Sequence, residues 1–384
     1  MSRRLLISFN FLTKGLEVSL LMVSALAYTD LGITLMEVGI LGMVFVVVQV
    51  SASLLSSYAA KSLGIWMAIV LAISAYVLAW LGLALNPNFW VLVFVYGLGG
   101  LGSGLFDPLG NSLVAAEAKT QSRGTEIANY GAFGDLGRII VSTFASSLFA
   151  LFGWKYLAIA FGLITLGLLL ISIVTKSERK IEVYMISNRA YVKELLSFLK
   201  HKRFMLANLT GILDSFSGAS LYIFIPFLLL QKGIPAQVLG FFVSPLYFGG
   251  YLLGRVLLGR MADRMGSVKT LIFAEMVMAI SILMFLYSSN IVWTGLVLII
   301  LGMFSRGTSP VIKTMIAESI SDKQDYEKGY GIYSSSSKLA SIVSRPLYSL
   351  VGTILGIPSI FFLSAAVAVV TTLPAYSIKK GNSL

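Results

Sequence analysis

Charged side chains stand in this sequence where their neighbours are almost wholly apolar, at spacings that let them meet. Lys14 and Glu17 are three residues apart, as are Asp135 and Arg138, so each pair shares one face of a helix and can neutralise itself there. Asp107, Asp214, Arg306, Lys338 and Arg345 interrupt other apolar runs, and Ser334 to Ser337 lead directly into Lys338. Tyr330, Tyr333 and Tyr348 add aromatic walls with polar tips. A charge at the centre of a membrane helix costs roughly 2.5–3.5 kcal/mol, so such residues face a cavity or one another. Two kinds of chemistry suit the set. A buried carboxyl can carry a proton, which points to Glu17, Asp135 and Asp214. Arginine offers a two-pronged match to carboxylate or phosphate, which points to Arg138, Arg306 and Arg345, with Lys338, Tyr330 and Tyr333 beside them as binding residues. The deep charges leave a net of −1 in the first half (Glu17, Asp107 and Asp135 against Lys14 and Arg138) and +2 in the second (Asp214 against Arg306, Lys338 and Arg345). With no cysteine and a single histidine, His201, thiolate zinc sites are excluded, and no metal, cofactor or catalytic triad is expected.

Composition dictates what must hold these residues. The chain is 57% hydrophobic with mean hydropathy +0.88, which excludes a soluble domain. Twelve apolar runs are long enough to cross hydrocarbon: 5–28, 36–57, 64–85, 89–113, 127–151, 154–175, 204–229, 236–258, 270–288, 291–313, 329–354 and 357–377. The basic start, Met1-Ser2-Arg3-Arg4, imitates a signal peptide, but no small-residue cleavage site follows, so the run is taken as the first span. The +12 formal charge lies in short loops rather than in a nucleic-acid-binding face. With both termini cytoplasmic in a cell membrane, twenty of the 29 Lys and Arg fall on the cytoplasmic side, against Lys155 and Lys232 outside. The longest polar connection, 176–203, separates bundles at 1–175 and 204–384. Its stretch from Tyr191 to Lys200 reads as an amphipathic helix lying in the interface.

One connection is unlike the others. Between the eighth and ninth spans runs Gly259-Arg260-Met261-Ala262-Asp263-Arg264-Met265-Gly266, closed by Lys269. Asp263 can reach the orphan amides of a neighbouring helix, Gly266 permits φ > 0, and Gly259 allows close backbone approach. The halves also repeat at a constant offset. Gly32-Ile33 matches Gly233-Ile234, Ser57 to Gly64 matches Gly259 to Gly266, Ala116-Glu117 matches Ala317-Glu318, and Tyr130-Gly131 matches Tyr330-Gly331, all 200–202 residues apart.

The spacing Gly-x3-Asp-Arg-x-Gly-x2-Lys resembles the signature loop of the major facilitator superfamily of transporters, and with the repeat the resemblance covers nearly the whole chain. It implies an all-α membrane protein of twelve transmembrane helices in two pseudo-symmetric six-helix bundles, with parallel halves around a central cavity. It also implies a secondary transporter that moves a small solute by alternating access, with Gly259, Asp263, Arg264, Gly266 and Lys269 as a gating loop. Two departures stand out. Lys61 occupies the place of Asp263 in the first-half loop, and the fifth span lacks the Gly-Pro pair typical of drug/proton antiporters. No Gly-x4-Gly-Lys-Ser/Thr is present to bind ATP, so an ion gradient is the expected drive. The expectation is a monomeric, proton-coupled carrier of a small organic anion. Sugars or amphiphilic drugs, and a transporter-like sensor without turnover, remain open. A membrane enzyme lacks a recognisable motif. Because the chain has no native cysteine, Asn86→Cys and Asn188→Cys test its orientation. A membrane-impermeant thiol reagent on intact cells should label position 86 and spare 188, and the reverse pattern overturns the assignment.

Overall fold

Hydrocarbon offers no water to backbone amides, so a chain this apolar must form helices or a closed barrel. The computed structural model of the protein is built of helices, with no strand among the described residues. Those residues are 3–85, 88–117, 123–175, 201–218, 220–235, 239–240, 242–320 and 326–380. The expected amphipathic helix at 191–200, and most of the 176–203 connection, lie outside them.

The helices are α1 (Arg3–Asp30), α2 (Leu35–Leu63), α3 (Ile65–Leu83), α4 (Phe89–Glu117), α5 (Arg123–Val174), α6 (Lys202–Gly218), α7 (Ile225–Gln231), α8 (Gly249–Met265), α9 (Ser267–Tyr287), α10 (Ile291–Ser305), α11 (Ser309–Glu318), α12 (Tyr326–Leu355) and α13 (Ile357–Lys380). A π-helical segment, Phe242–Phe248, carries Pro245 and leads into α8. Among the described residues nine helices are long and apolar enough to cross a membrane, and the bent pair Lys202–Ile223 and Ile225–Gln231 makes a tenth. The two other expected spans, 127–151 and 329–354, lie inside α5 and α12. Their serines, glycines and charges keep them less apolar than the rest, and these are the helices that carry Asp135, Arg138, Lys338 and Arg345.

Among the described residues six glycines have positive φ, and they fall into three pairs. Gly32 (66°) pairs with Gly233 (78°), Gly64 (84°) with Gly266 (87°), and Gly153 (80°) with Gly356 (89°), at separations of 201, 202 and 203 residues. Side chains with a Cβ rarely adopt such angles, so each glycine turns the chain in almost no length. Gly64, Gly153, Gly266 and Gly356 each stand alone between two stretches of helix. Helix starts repeat as well: Asn88 accepts from the Val91 amide at 3.0 Å, and Asn290 accepts from the Val292 amide at 2.8 Å.

Helix contacts follow the same offset. A methyl group on Gly100 would strike the carbonyl of Phe45, and one on Gly302 would strike the carbonyl of Tyr247. In the second half Gly250 and Gly254 of α8 likewise lie against the carbonyls of Ile299 and Met303 in α10. Small residues thus bring backbones together, the main source of helix packing where no hydrophobic force separates helix from lipid. Gly259 has no such role, since nothing lies within 4 Å of a Cβ placed there. The close approach sits one and two turns earlier, at Gly254 and Gly250.

The helices gather into two compact units. One comprises Met1–Val183 and Ile234–Ser244, and the other comprises Tyr184–Gly233 and Pro245–Leu384. Gly100→Val and Gly302→Val should each destabilise the unit that contains them, by about 1–3 kcal/mol of overpacking. Gly167→Ala, which meets nothing within 4 Å, should be neutral. Melting of purified protein checks this, and equal melting of all three variants refutes the glycine seams.

Candidate functional site

The first unit holds one connected polar cluster. The Lys14 ammonium of α1 donates to Glu17 at 3.0 Å and to Asp107 of α4. The Ser103 hydroxyl also donates to Glu17 at 3.0 Å, and Gln49 of α2 donates to Ser103 at 2.7 Å. The self-pairing on α1 that the spacing allowed therefore forms, and α4 adds a second acid. The Asp135–Arg138 pair forms as well, within α5. Arg138 lies close enough to act on both Lys14 and Glu17, so the two pairs are one electrostatic unit. Lys14 and Glu17 keep 13% side-chain exposure and Asp107 keeps 32%, so the cluster is sunk but reachable. Glycine makes room for it. A methyl on Gly134 would press on Asn10 and Lys14, and one on Gly137 would strike the Phe11 carbonyl, which brings α5 against α1.

The second unit is arranged differently. Asp214 of α6 and Glu275 of α9 are both buried, at 6% and 0% exposure, with their carboxyls in hydrogen-bonding reach of each other. Glu275, inside an apolar run, is an acid that the charge count above leaves out. It is the ninth residue of α9, about 12 Å along the helix axis from Ser267, too deep for a short side chain to leave the helix bundle. Counting it changes the second-half balance from +2 to +1. Arg306 stands in the break between α10 and α11, its guanidinium 5.0 Å from the centre of the Tyr222 ring. Thr308, from the same break, lies in reach of Asp214. Tyr333 of α12 is buried against Gly211 and Asp214. On α12, Lys338 and Arg345 are seven residues apart, two turns, and so share a face; Arg345 is buried and Lys338 half-buried. Tyr330 is half-buried one turn before Tyr333. The structure thus groups Asp214, Arg306 and Tyr333, and places Lys338 and Arg345 along one neighbouring helix.

The expected gating loop divides in two. Asp263 and Arg264 are exposed in the last turn of α8, Gly266 makes the positive-φ turn, and Lys269 is exposed in the first turn of α9. The acid that reaches the first residue of α9 is Glu318, which accepts from the Ser267 hydroxyl at 2.6 Å. Its signal was present in the sequence, as the repeated Ala-Glu pairs at 116–117 and 317–318. Ser103, Gln49 and Thr308 were not singled out. Uncharged polar residues are frequent in these spans, and nothing in their spacing marks these three.

Comparison with known proteins agrees with this arrangement. The family model of the Major Facilitator Superfamily matches residues 5–246 and 207–381. An uncharacterized MFS-type transporter, YcaD of Escherichia fergusonii, is 25% identical over 241 residues. That match takes in 61% of this chain and spans 59% of the relative's length. Among solved structures, the nucleoside transporter NupG superposes with a TM-score of 0.84 at 13% identity, covering 97% of this chain and 98% of that one. A bacterial homolog of the human lysosomal transporter Spinster, inward-facing and occupied, gives 0.78 at 12% identity over 98% and 96%. At such identities the superpositions speak for the fold, and the family model matches across both halves: the chain belongs to the Major Facilitator Superfamily of membrane transporters.

Proposed function

We propose that this transporter is a proton-coupled carrier of a small organic anion, working by alternating access between its halves 1–175 and 204–384. The observation that carries the proposal is the uneven distribution of buried charge. The acids of the first unit are tied into ion pairs with Lys14 and Arg138, while in the second unit Arg306, Lys338 and Arg345 outnumber Asp214 and Glu275. A cation excess on tyrosine-bearing helices suits a carboxylate or phosphate. The proton is carried by Glu17, Asp135 or Asp214. Glu17 and Asp135 do so by exchanging the Lys14 or Arg138 contact for a proton. Tyr330 and Tyr333 flank the anion.

Labelled small carboxylates in proteoliposomes test the assignment, with uphill uptake and gradient-free exchange measured side by side. Glu17→Gln and Asp135→Asn should abolish uphill uptake and spare exchange. Lys338→Gln and Arg345→Gln should weaken binding itself, by tenfold or more for a lost charge-assisted contact of about 1.5–3 kcal/mol. An uncharged substrate such as a sugar, or equal loss of exchange in the acid and basic variants, overturns the division of labour. A protein that binds but never exchanges is a sensor.

The exposed Asp263 belongs to a contact made in another state of the cycle. Asp263→Asn should leave abundance unchanged and reduce transport severalfold, with Lys61→Asn milder. Normal uptake by both variants reduces the loop to a connector.

A further inference from the structure

The two carboxyls of the second unit have an unanswered charge. Both oxygens of Glu275 and Oδ1 of Asp214 are buried without a hydrogen-bond donor among the described residues. Two facing carboxylates cannot supply donors to each other, and a buried polar atom left unpaired is costly. Arg306 acts on Asp214, but Asp214 is the one charged neighbour of Glu275 among the described residues. Two negative charges against one positive leave a deficit of a single positive charge.

The surroundings suit a small cation. Thr308 adds a hydroxyl in reach of Asp214 and is itself buried. It is the residue that caps the start of α11, three residues past the end of α10. The other titratable groups that face the pair are neutral hydroxyls. Tyr247, bonded to Ser305 at 2.8 Å, precedes α8, and Tyr333 comes from α12. Every one of these residues belongs to the second unit.

We propose that Asp214 and Glu275, with Thr308, form a site for one monovalent cation, a proton shared between the two carboxyls or a sodium ion held by them. Neither Glu17 nor Asp135 can fill this role without first breaking an ion pair. Helix α9 thereby gains a binding residue. The site deepens the coupling assignment above and rests on it only for its part in transport, because occupancy can be measured with no substrate present.

The test is thermal melting of the purified full-length protein at pH 6.5 and 8.5, in sodium chloride or in choline chloride of equal ionic strength. A cation bound by the folded state alone raises the melting temperature. If the cation is a proton, unfolded carboxylates are ionised at both pH values while the folded pair takes up a proton as pH falls. Stability then rises toward pH 6.5, in either salt. If it is sodium, the rise appears at pH 8.5 on replacing choline with sodium. The expected shift is about 1–2 °C for each tenfold rise in cation concentration above the Kd. Glu275→Gln and Asp214→Asn should each lose the dependence. Each should melt no lower than wild type at pH 8.5 in choline, because one of two facing charges is gone. The site is refuted if wild type shows neither dependence, or if Glu275→Gln keeps it in full. It is refuted too if Glu275→Gln melts well below wild type at pH 8.5 in choline, as the loss of a satisfied ion pair requires. A cation-dependent melt combined with gradient-insensitive transport supports the site and removes the coupling assignment instead.

Discussion

A charge inside an apolar helix bundle must be answered by something else inside that bundle, and the placement of polar residues throughout this protein follows from that requirement. Desolvating an ion costs several kcal/mol even after relaxation, so charges appear in company or are neutralised. In the first unit each acid has a cation in contact: Lys14 lies between Glu17 and Asp107, Arg138 pairs with Asp135, and Ser103 donates to Glu17 as well. In the second unit the answer is incomplete, because Asp214 and Glu275 face each other. Removing one partner from a completed cluster strands a charge, whereas removing one partner from the carboxyl pair relieves a conflict. The two halves should therefore respond to neutralising substitutions with opposite sign.

Charges can be held this way only because backbones come close enough. Gly137 against the Phe11 carbonyl brings α5 onto α1, so that Arg138 acts on Lys14 and Glu17. Gly250, Gly254 and Gly302 do the same for α8 and α10, which fixes the break that carries Arg306 and Thr308. The glycines thus act at one remove from the chemistry. They set the distances at which the charged side chains meet.

The fold was largely legible in the sequence because its signals are redundant. Apolar length, turn residues and the constant offset each point to two similar halves, and the structure extends the offset to Gly153 and Gly356, which the repeat had not included. The site was legible by residue type more than by partner. Spacing sufficed for Lys14–Glu17 and Asp135–Arg138, since three residues along one helix determine the contact. Spacing says nothing about which helix stands opposite, so Asp107 beside Lys14 and Glu275 beside Asp214 needed the packing. Gly259 was credited with close approach because of its place in a motif, while the contact belongs to glycines on the face toward α10.

A repeated scaffold with unequal charges restricts where the asymmetry of transport can lie. Turns, caps and the Gly100 and Gly302 seams recur at one offset, so the mechanics of bending and packing are common to both halves. What is not repeated is chemistry. Lys14, Glu17 and Asp107 sit where the second half offers no equivalent triad, and Lys61 replaces the acid found at 263. Unequal charge on equal mechanics gives the two halves different interactions with a charged ligand. A differential interaction of this kind is the one way a ligand can shift a conformational equilibrium. Lys14, Glu17 and Asp107 in one half, and Asp214, Glu275 and Arg306 in the other, are therefore the positions through which the halves can interact differently with a charged ligand.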